Sequence, residues 1–150
     1  MNYIGIIAAI FSTDFFIKNY IEKNLEAGTE KEKVRGFIRL RKHHNKGAFL
    51  NVGQGKRRTV AFISLMLTLV LTFFFIMTLG TKGNTPLRAG LALLLGGAFS
   101  NTYDRLKRGH VVDYLSFHVK WKWLSNIIFN ISDFCIIIGA FVTVLSVGNE

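Results

Sequence analysis

The sequence predicts an all-α membrane protein, with four transmembrane helices and a small β-sheet on the membrane surface. Three observations carry this. Half of the 150 residues are apolar, 14 of them Phe, and only one residue is Pro. With a mean hydropathy of +0.33, that is too apolar for a soluble domain of this length. The apolar residues also fall into four runs, each close to the ~20 residues a bilayer crossing needs. Finally, the runs are joined by one tight turn and two long polar connections, 22–58 and 104–125. Residues 1–150 therefore read as one integral membrane domain.

The first run, YIGIIAAIFSTDFFIKNYI, covers about 3–21. It lacks the basic leader and the A-x-A-like exit of a signal peptide, and Asp14 and Lys18 interrupt it, so it reads as a retained helix. In the connection 22–58, Ile38 and Leu40 alternate with Arg39 and Arg41, which predicts a short surface strand. The second run, 59–79, carries no charge. After the turn GTKGNT, Pro86 opens the third run, 86–103, as a favoured first helical residue. Gly96, Gly97, Ala98 and Ser100 in that run are small enough to let helices approach closely. In the connection 104–125, Trp121 and Trp123 are placed as interfacial aromatics. The fourth run is 126–147. Four crossings put both termini on one side and both large connections on the other, so the polar motifs face one aqueous compartment.

The net charge is +10, from 19 Lys and Arg against 9 Asp and Glu. These charges sit between the apolar runs and no RNA-binding aromatic signature accompanies them, so membrane lipid headgroups explain them better than nucleic acid. The lone Cys135 excludes an intrachain disulfide and a cysteine-based metal cluster. His43, His44, His110 and His118 match no ligand spacing, and no metal site is expected.

The informative residues are acids in apolar settings. Asp133 stands at the mouth of the fourth run, where an acid is costly at the helix centre and less so near an end. It has two readings: a cap or first-turn charge favoured by the helix dipole, or one half of a pair. Asp113 lies 20 residues earlier, between Val111-Val112 and Tyr114-Leu115. If the Trp-rich segment folds back, the two carboxyls meet at one interface. Like charges that close share a proton. One acid then activates water while the other protonates a carbonyl oxygen, as in an aspartic protease. From spacing alone, two separately solvated acids remain the alternative.

The stretch GGAFSNTYDRLKRGHVVDY, followed by FNISD, resembles the signature of lipoprotein signal peptidase (signal peptidase II), the polytopic aspartic peptidases of bacterial inner membranes. DFFIK and NKGAF resemble two further blocks of that family, so the likeness runs from Asp14 to Asp133. It implies that Asp113 and Asp133 are the catalytic dyad. It implies that Asn101, Arg105 and Asn130 shape the site, that Asn45 and Gly47 belong to a loop closing over substrate, and that Asp104 is structural. Asp14 and Lys18, one helical turn apart, read either as a structural ion pair or as a catalytic contribution. No cofactor is implied. The implied partners are a prolipoprotein signal peptide with a diacylglyceryl-cysteine, membrane lipids, and cyclic peptide inhibitors of the globomycin type. The implied location is the bacterial inner membrane, with the sheet and active site extracytoplasmic.

The chain departs from the family pattern at Phe49 and Leu50 after Ala48, at Ser100 where the family has Gly, and at Ser132 where it has Ala. Ser132 is expected to hydrogen-bond Asp133. Charge placement also conflicts with the implied orientation. Residues 22–58 carry eleven Lys and Arg and 104–125 carry five, against Lys82 and Arg88 opposite, which the positive-inside rule would place in the cytoplasm. Two other readings stay open: a non-catalytic relative that binds lipidated peptides, and a proton- or ion-handling transporter.

Overall fold

A computed structural model describes residues 2–33, 36–48, 52–53, 55–80 and 83–148. Phe49, Leu50 and Lys82 lie outside the described residues. Among the described residues there are four long helices: α1 (Tyr3–Asn24), α2 (Arg57–Leu79), α3 (Thr85–Lys107) and α5 (Ile131–Val147). A one-turn helix, α4 (Lys122–Ser125), precedes the last. Three strands, β1 (Glu30–Lys33), β2 (Ile38–Asn45) and β3 (Val111–Phe117), form an antiparallel sheet in the order β1-β2-β3.

Helix α3 is the hub, with α1, α2 and α5 packed around it. Its small residues make this possible. A Cβ on Gly139 of α5 would lie 2.5 Å from the Leu94 backbone nitrogen and 2.6 Å from the Gly90 carbonyl oxygen. Real Cβ contacts do not reach such distances, so α3 and α5 touch backbone to backbone. On the other side of α3, Leu91, Ala92 and Leu95 bury against Phe75 of α2.

Helices α1 and α2 are long and apolar enough to cross a membrane, and α5 is a shorter apolar helix. Helix α3 holds Gly90, Gly96, Gly97, Ser100, Asn101, Thr102 and Asp104 buried. Its apolarity is low because it meets protein on most sides, and a protein-facing helix does not need a lipid-compatible surface. The outer faces of α2 and α5 are apolar and exposed, at Phe62, Leu69, Phe73, Phe74, Ile138, Phe141 and Val144.

Two element boundaries differ from the sequence expectation. The last helix starts at Ile131, not near Asn126, because the side chain of Asn130 caps it, accepting from the Asp133 N–H at 2.9 Å. Residues 126–130 instead fold back on β3, with the Tyr114 and Leu115 amides donating to the Phe129 carbonyl. The third helix continues to Lys107, where Arg105 and Lys107 in the last turn favour the helix dipole.

The second polar connection is not only a loop, since it supplies strand β3. In β2, Leu40 opposes Leu115 and His43 opposes Asp113. Three steps on β2 thus match two on β3, a bulge of one residue beside Asp113. Trp121 and Trp123 are both about two-thirds exposed.

Candidate active site

Strand β3 delivers Asp113 and the first turn of α5 delivers Asp133. Asn130 joins them. Its side-chain amide donates to Asp113 Oδ1 at 2.8 Å, and its backbone N–H donates to Asp133 Oδ2 at 3.0 Å. The backbone contact completes a capping box, in which the Asn130 side chain caps the helix and Asp133 reaches back to the cap residue. Asp133 is therefore both a first-turn acid and the neighbour of a second acid.

Each carboxyl has a further donor. Asn45 Nδ2 donates to Asp113 Oδ2 at 3.1 Å, and Asn101 Nδ2 donates to Asp133 Oδ1 at 2.9 Å. Burial, and then the neighbouring Asp133 carboxylate, push the Asp113 carboxyl up to about 7 from its ordinary 3.8, against the opposing pull of Asn45 and Asn130.

Both acids open on a cavity of about 640 Å³. Asn45, Asn101 and Arg105 share its polar end, while Leu67, Leu71, Leu94, Ile136 and Ile137 make its walls apolar. The cavity lies between α2, α3 and α5. Helices α2 and α5 both pack on α3 without extensive packing on each other, so the apolar walls run out between them. Arg105 Nη2 donates to the Gly47 carbonyl at 3.2 Å, and Gly47 N–H donates to Asn45 Oδ1 at 3.0 Å. Arg105, Gly47 and Asn45 thus hold one another at the rim.

Behind the cavity lies a second polar group that does not line it. Lys18 and Asp14 are fully buried and pair at 2.7 Å, and Lys18 also reaches Asp104 at 3.1 Å. Lys18 donates to Asn101 Oδ1 at 2.9 Å. An ammonium has only donors to offer, so it fixes the Asn101 amide with its NH₂ toward Asp133. Asp104 ties this cluster to the strand by accepting from the Val112 N–H and to its own helix by pairing with Arg108.

Ser132 does not bond Asp133 as expected. Its hydroxyl donates to Asp14 Oδ2 at 2.6 Å, and the Ser100 hydroxyl donates to the same oxygen at 2.6 Å. The reason is direction. Residues 132 and 133 point about 100° apart around a helix, and Asp133 already accepts from Asn101 and Asn130. Tyr114 OH donates to the other oxygen, Asp14 Oδ1, at 2.8 Å.

All ten residues singled out in the sequence belong to these two connected groups. Sequence reasoning missed the other polar residues of the cavity lining: His43, Ser64, Thr68, Thr102 and Asn126. Ser64 and Thr68 carried a signal, since with Thr72 they place hydroxyls at i, i+4 and i+8 along one face of an uncharged run. The Thr68 and Thr102 hydroxyls meet at 2.9 Å.

A family model described as Signal peptidase (SPase) II matches residues 6–148. The chain belongs to the signal peptidase II family. It is 34% identical over 149 residues to a lipoprotein signal peptidase of Brevibacillus brevis, covering 98% of this chain and 95% of that one. A lipoprotein signal peptidase of Paraburkholderia phytofirmans is 33% identical over 147 residues, covering 95% and 82%. Among solved structures, a bacterial membrane enzyme determined at 2.3 Å superposes with a TM-score of 0.84 at 26% identity, covering 98% of this chain and 87% of that one. Membership makes this chain a membrane-associated aspartic peptidase, and its fold is shared with the superposed bacterial membrane enzyme.

Proposed function

We propose that this chain cleaves signal peptides from prolipoproteins carrying a diacylglyceryl-cysteine, with Asp113 and Asp133 as the water-activating pair. The observation that carries the proposal is two carboxyls bridged by Asn130 at the polar end of a largely apolar cavity. Such a cavity suits a substrate that is both peptide and lipid. The acyl chains lie against the apolar walls and enter between α2 and α5. The scissile bond lies across the two acids. Cyclic peptide inhibitors of the globomycin type occupy the same space.

The chemistry follows from the environments. Asp133 sits at a helix N-terminus, where the dipole favours an anion. Asp113 sits in the sheet with its proton retained to about pH 7. The pair shares one proton, and in this reading Asp113 carries it into the first step. Asp133 takes a proton from water as the oxygen attacks the scissile carbonyl, and Asp113 gives its proton to the carbonyl oxygen. Collapse of the tetrahedral intermediate breaks the C–N bond, the leaving amine takes the proton held by Asp133, and the hydroxyl proton returns to Asp113. Asn101, Asn130 and Asn45 hold the two acids. Arg105 and Gly47 form the rim over the substrate. Asp14, Lys18 and Asp104 fix Asn101 from behind.

In the membrane we read α1, α2, α3 and α5 as four crossings of the bacterial inner membrane, with the sheet and dyad extracytoplasmic, where translocated and lipidated substrates present their cleavage site. The transporter reading needs acids continuing through the bilayer. Residues 59–79 carry none, and none follows Asp133 in α5.

The test is a gel-shift assay of the purified chain on one prolipoprotein, with and without its diacylglyceryl group. Cleavage of the lipidated form alone is expected. Lipid-dependent binding without cleavage would leave a binding protein and sink the peptidase reading.

A further inference from the structure

Glu22, His44 and His110 are far apart in sequence, but the fold brings them together at the sheet end of the bundle. Glu22 lies in the last turn of α1, His44 on β2, and His110 in the bend before β3. One ligand atom from each lies within 4.8 Å of the others. His44 Nε2 stands 2.6 Å from Glu22 Oε1, and His110 Nε2 stands 3.6 Å from the same oxygen. The two imidazole rings are 4.0 Å apart, tilted by 31°. His110 Nε2 is shielded from solvent and makes no hydrogen bond among the described residues. All three side chains are half-buried.

Two imidazoles and one carboxylate are a donor set for a borderline transition metal, and two histidines with a glutamate leave a fourth position open. Bonds of about 2.0–2.2 Å around a tetrahedral zinc place ligand atoms about 3.3 Å apart. Two of the separations, 2.6 and 3.6 Å, bracket that value and all three lie within 4.8 Å, so rotation of the stacked imidazoles apart would admit the ion. The simpler account is an ion pair of Glu22 with His44 and with Lys42, whose ammonium lies 3.0 Å from Glu22 Oε2. That account extends to His110, whose Nε2 faces Glu22 Oε1 at 3.6 Å without a close hydrogen bond. What points beyond it is the convergence of two stacked imidazoles on one carboxylate oxygen.

We propose that Glu22, His44 and His110 form a divalent transition-metal site of the zinc class, separate from the dyad. Its place in the fold gives it a consequence. His44 lies between His43, which opposes Asp113 in the sheet, and Asn45, which donates to Asp113. The ion clamps β2 to the end of α1 and to the turn leading into β3, stiffening the strand that holds Asp113. The dyad needs no metal, so the site stabilises the protein and takes no part in the chemistry. Lys42 opposes the ion by charge.

The test uses the full chain in detergent, stripped with EDTA and desalted. Zinc chloride binding is followed by equilibrium dialysis with metal analysis, alongside thermal unfolding with and without zinc. One zinc per chain at micromolar concentration is expected, with a midpoint several degrees higher. Each variant is compared with itself in the two conditions, so a general loss of stability cancels. His44→Ala and His110→Ala should each weaken binding more than about tenfold, since even outer-shell partners of a metal matter by 10–100-fold. They should also abolish the zinc-dependent rise. Lys42→Ala should tighten binding, and exposed His118→Ala should leave it unchanged. Binding only at millimolar zinc, or binding indifferent to His44→Ala and His110→Ala, would overturn the site.

Discussion

Single side chains do most of the organising, and Asn130 does the most. One residue caps α5, bonds Asp113 through its side chain and bonds Asp133 through its backbone. Asn130→Ala should lower kcat by at least about tenfold while leaving KM little changed, because it misorients both acids and not the lipid-facing walls. A change confined to KM in steady-state cleavage of a lipidated substrate would contradict that placement. Ser132→Ala removes one of the donors to the buried Asp14 carboxylate. It should cost about 1–3 kcal/mol in unfolding free energy with cleavage by the folded fraction near wild type. A lost rate at unchanged stability would place Ser132 in the chemistry instead. Asp113 also sets a pH dependence. Its folded-state carboxyl is raised to about 7 from 3.8, so the stability it contributes is complete below the lower value and is lost as pH rises through the upper one. Cleavage should fall above about pH 7 as Asp113 gives up its proton. Asp113→Asn should be more stable than wild type at pH 8, with the difference vanishing toward pH 4.

At the scale of elements, the contact of α3 with α5 sets the position of Asp133 relative to Asp113. Gly139 has no room for a side chain against Leu94 and Gly90. Gly139→Leu should separate the helices and destabilise the fold by at least about 3 kcal/mol, beyond ordinary overpacking because the obstacle is backbone. Unfolding in detergent, compared with an exposed α5 control such as Phe141→Leu, reads this directly. The elements also show what a sequence can and cannot reveal. The apolar runs and the small residues of α3 were legible because they are local patterns. Strand β3 was not: Val111-Val112-Asp113-Tyr114 is a short mixed run whose partner strand lies more than 60 residues earlier, and it read as loop. The fourth helix was begun too early because 126–130 is apolar enough to extend it, and the Asn130 cap is visible only by its hydrogen bonds. Asp113 and Asp133 were legible as acids out of place among apolar neighbours. Their link through Asn130, the turning of Ser132 to Asp14, and the meeting of Glu22, His44 and His110 depend on tertiary geometry.

For the whole molecule, the side of the membrane that holds the sheet decides whether the dyad meets translocated substrate. The basic residues of 22–58 argue for the cytoplasm and the proposed chemistry argues against it. In the structure, part of that charge is engaged with acids, as Arg39 and Arg41 pair with Glu30 and Lys42 pairs with Glu22. Cysteines placed singly in 26–33 and at position 82, in a Cys135→Ser background, should be labelled by an impermeant thiol reagent in whole cells at the former and not the latter. The reverse pattern would put the dyad in the cytoplasm, out of reach of translocated substrate. The central claim is that Asp113 and Asp133 act as one unit, and single-turnover cleavage of a lipidated prolipoprotein by Asp113→Asn and Asp133→Asn tests it most directly. Each variant is expected to stay folded in detergent and to cleave nothing measurable, because no other acid lines the cavity among the described residues. Turnover by either variant at a few tenths of the wild-type rate would contradict the account.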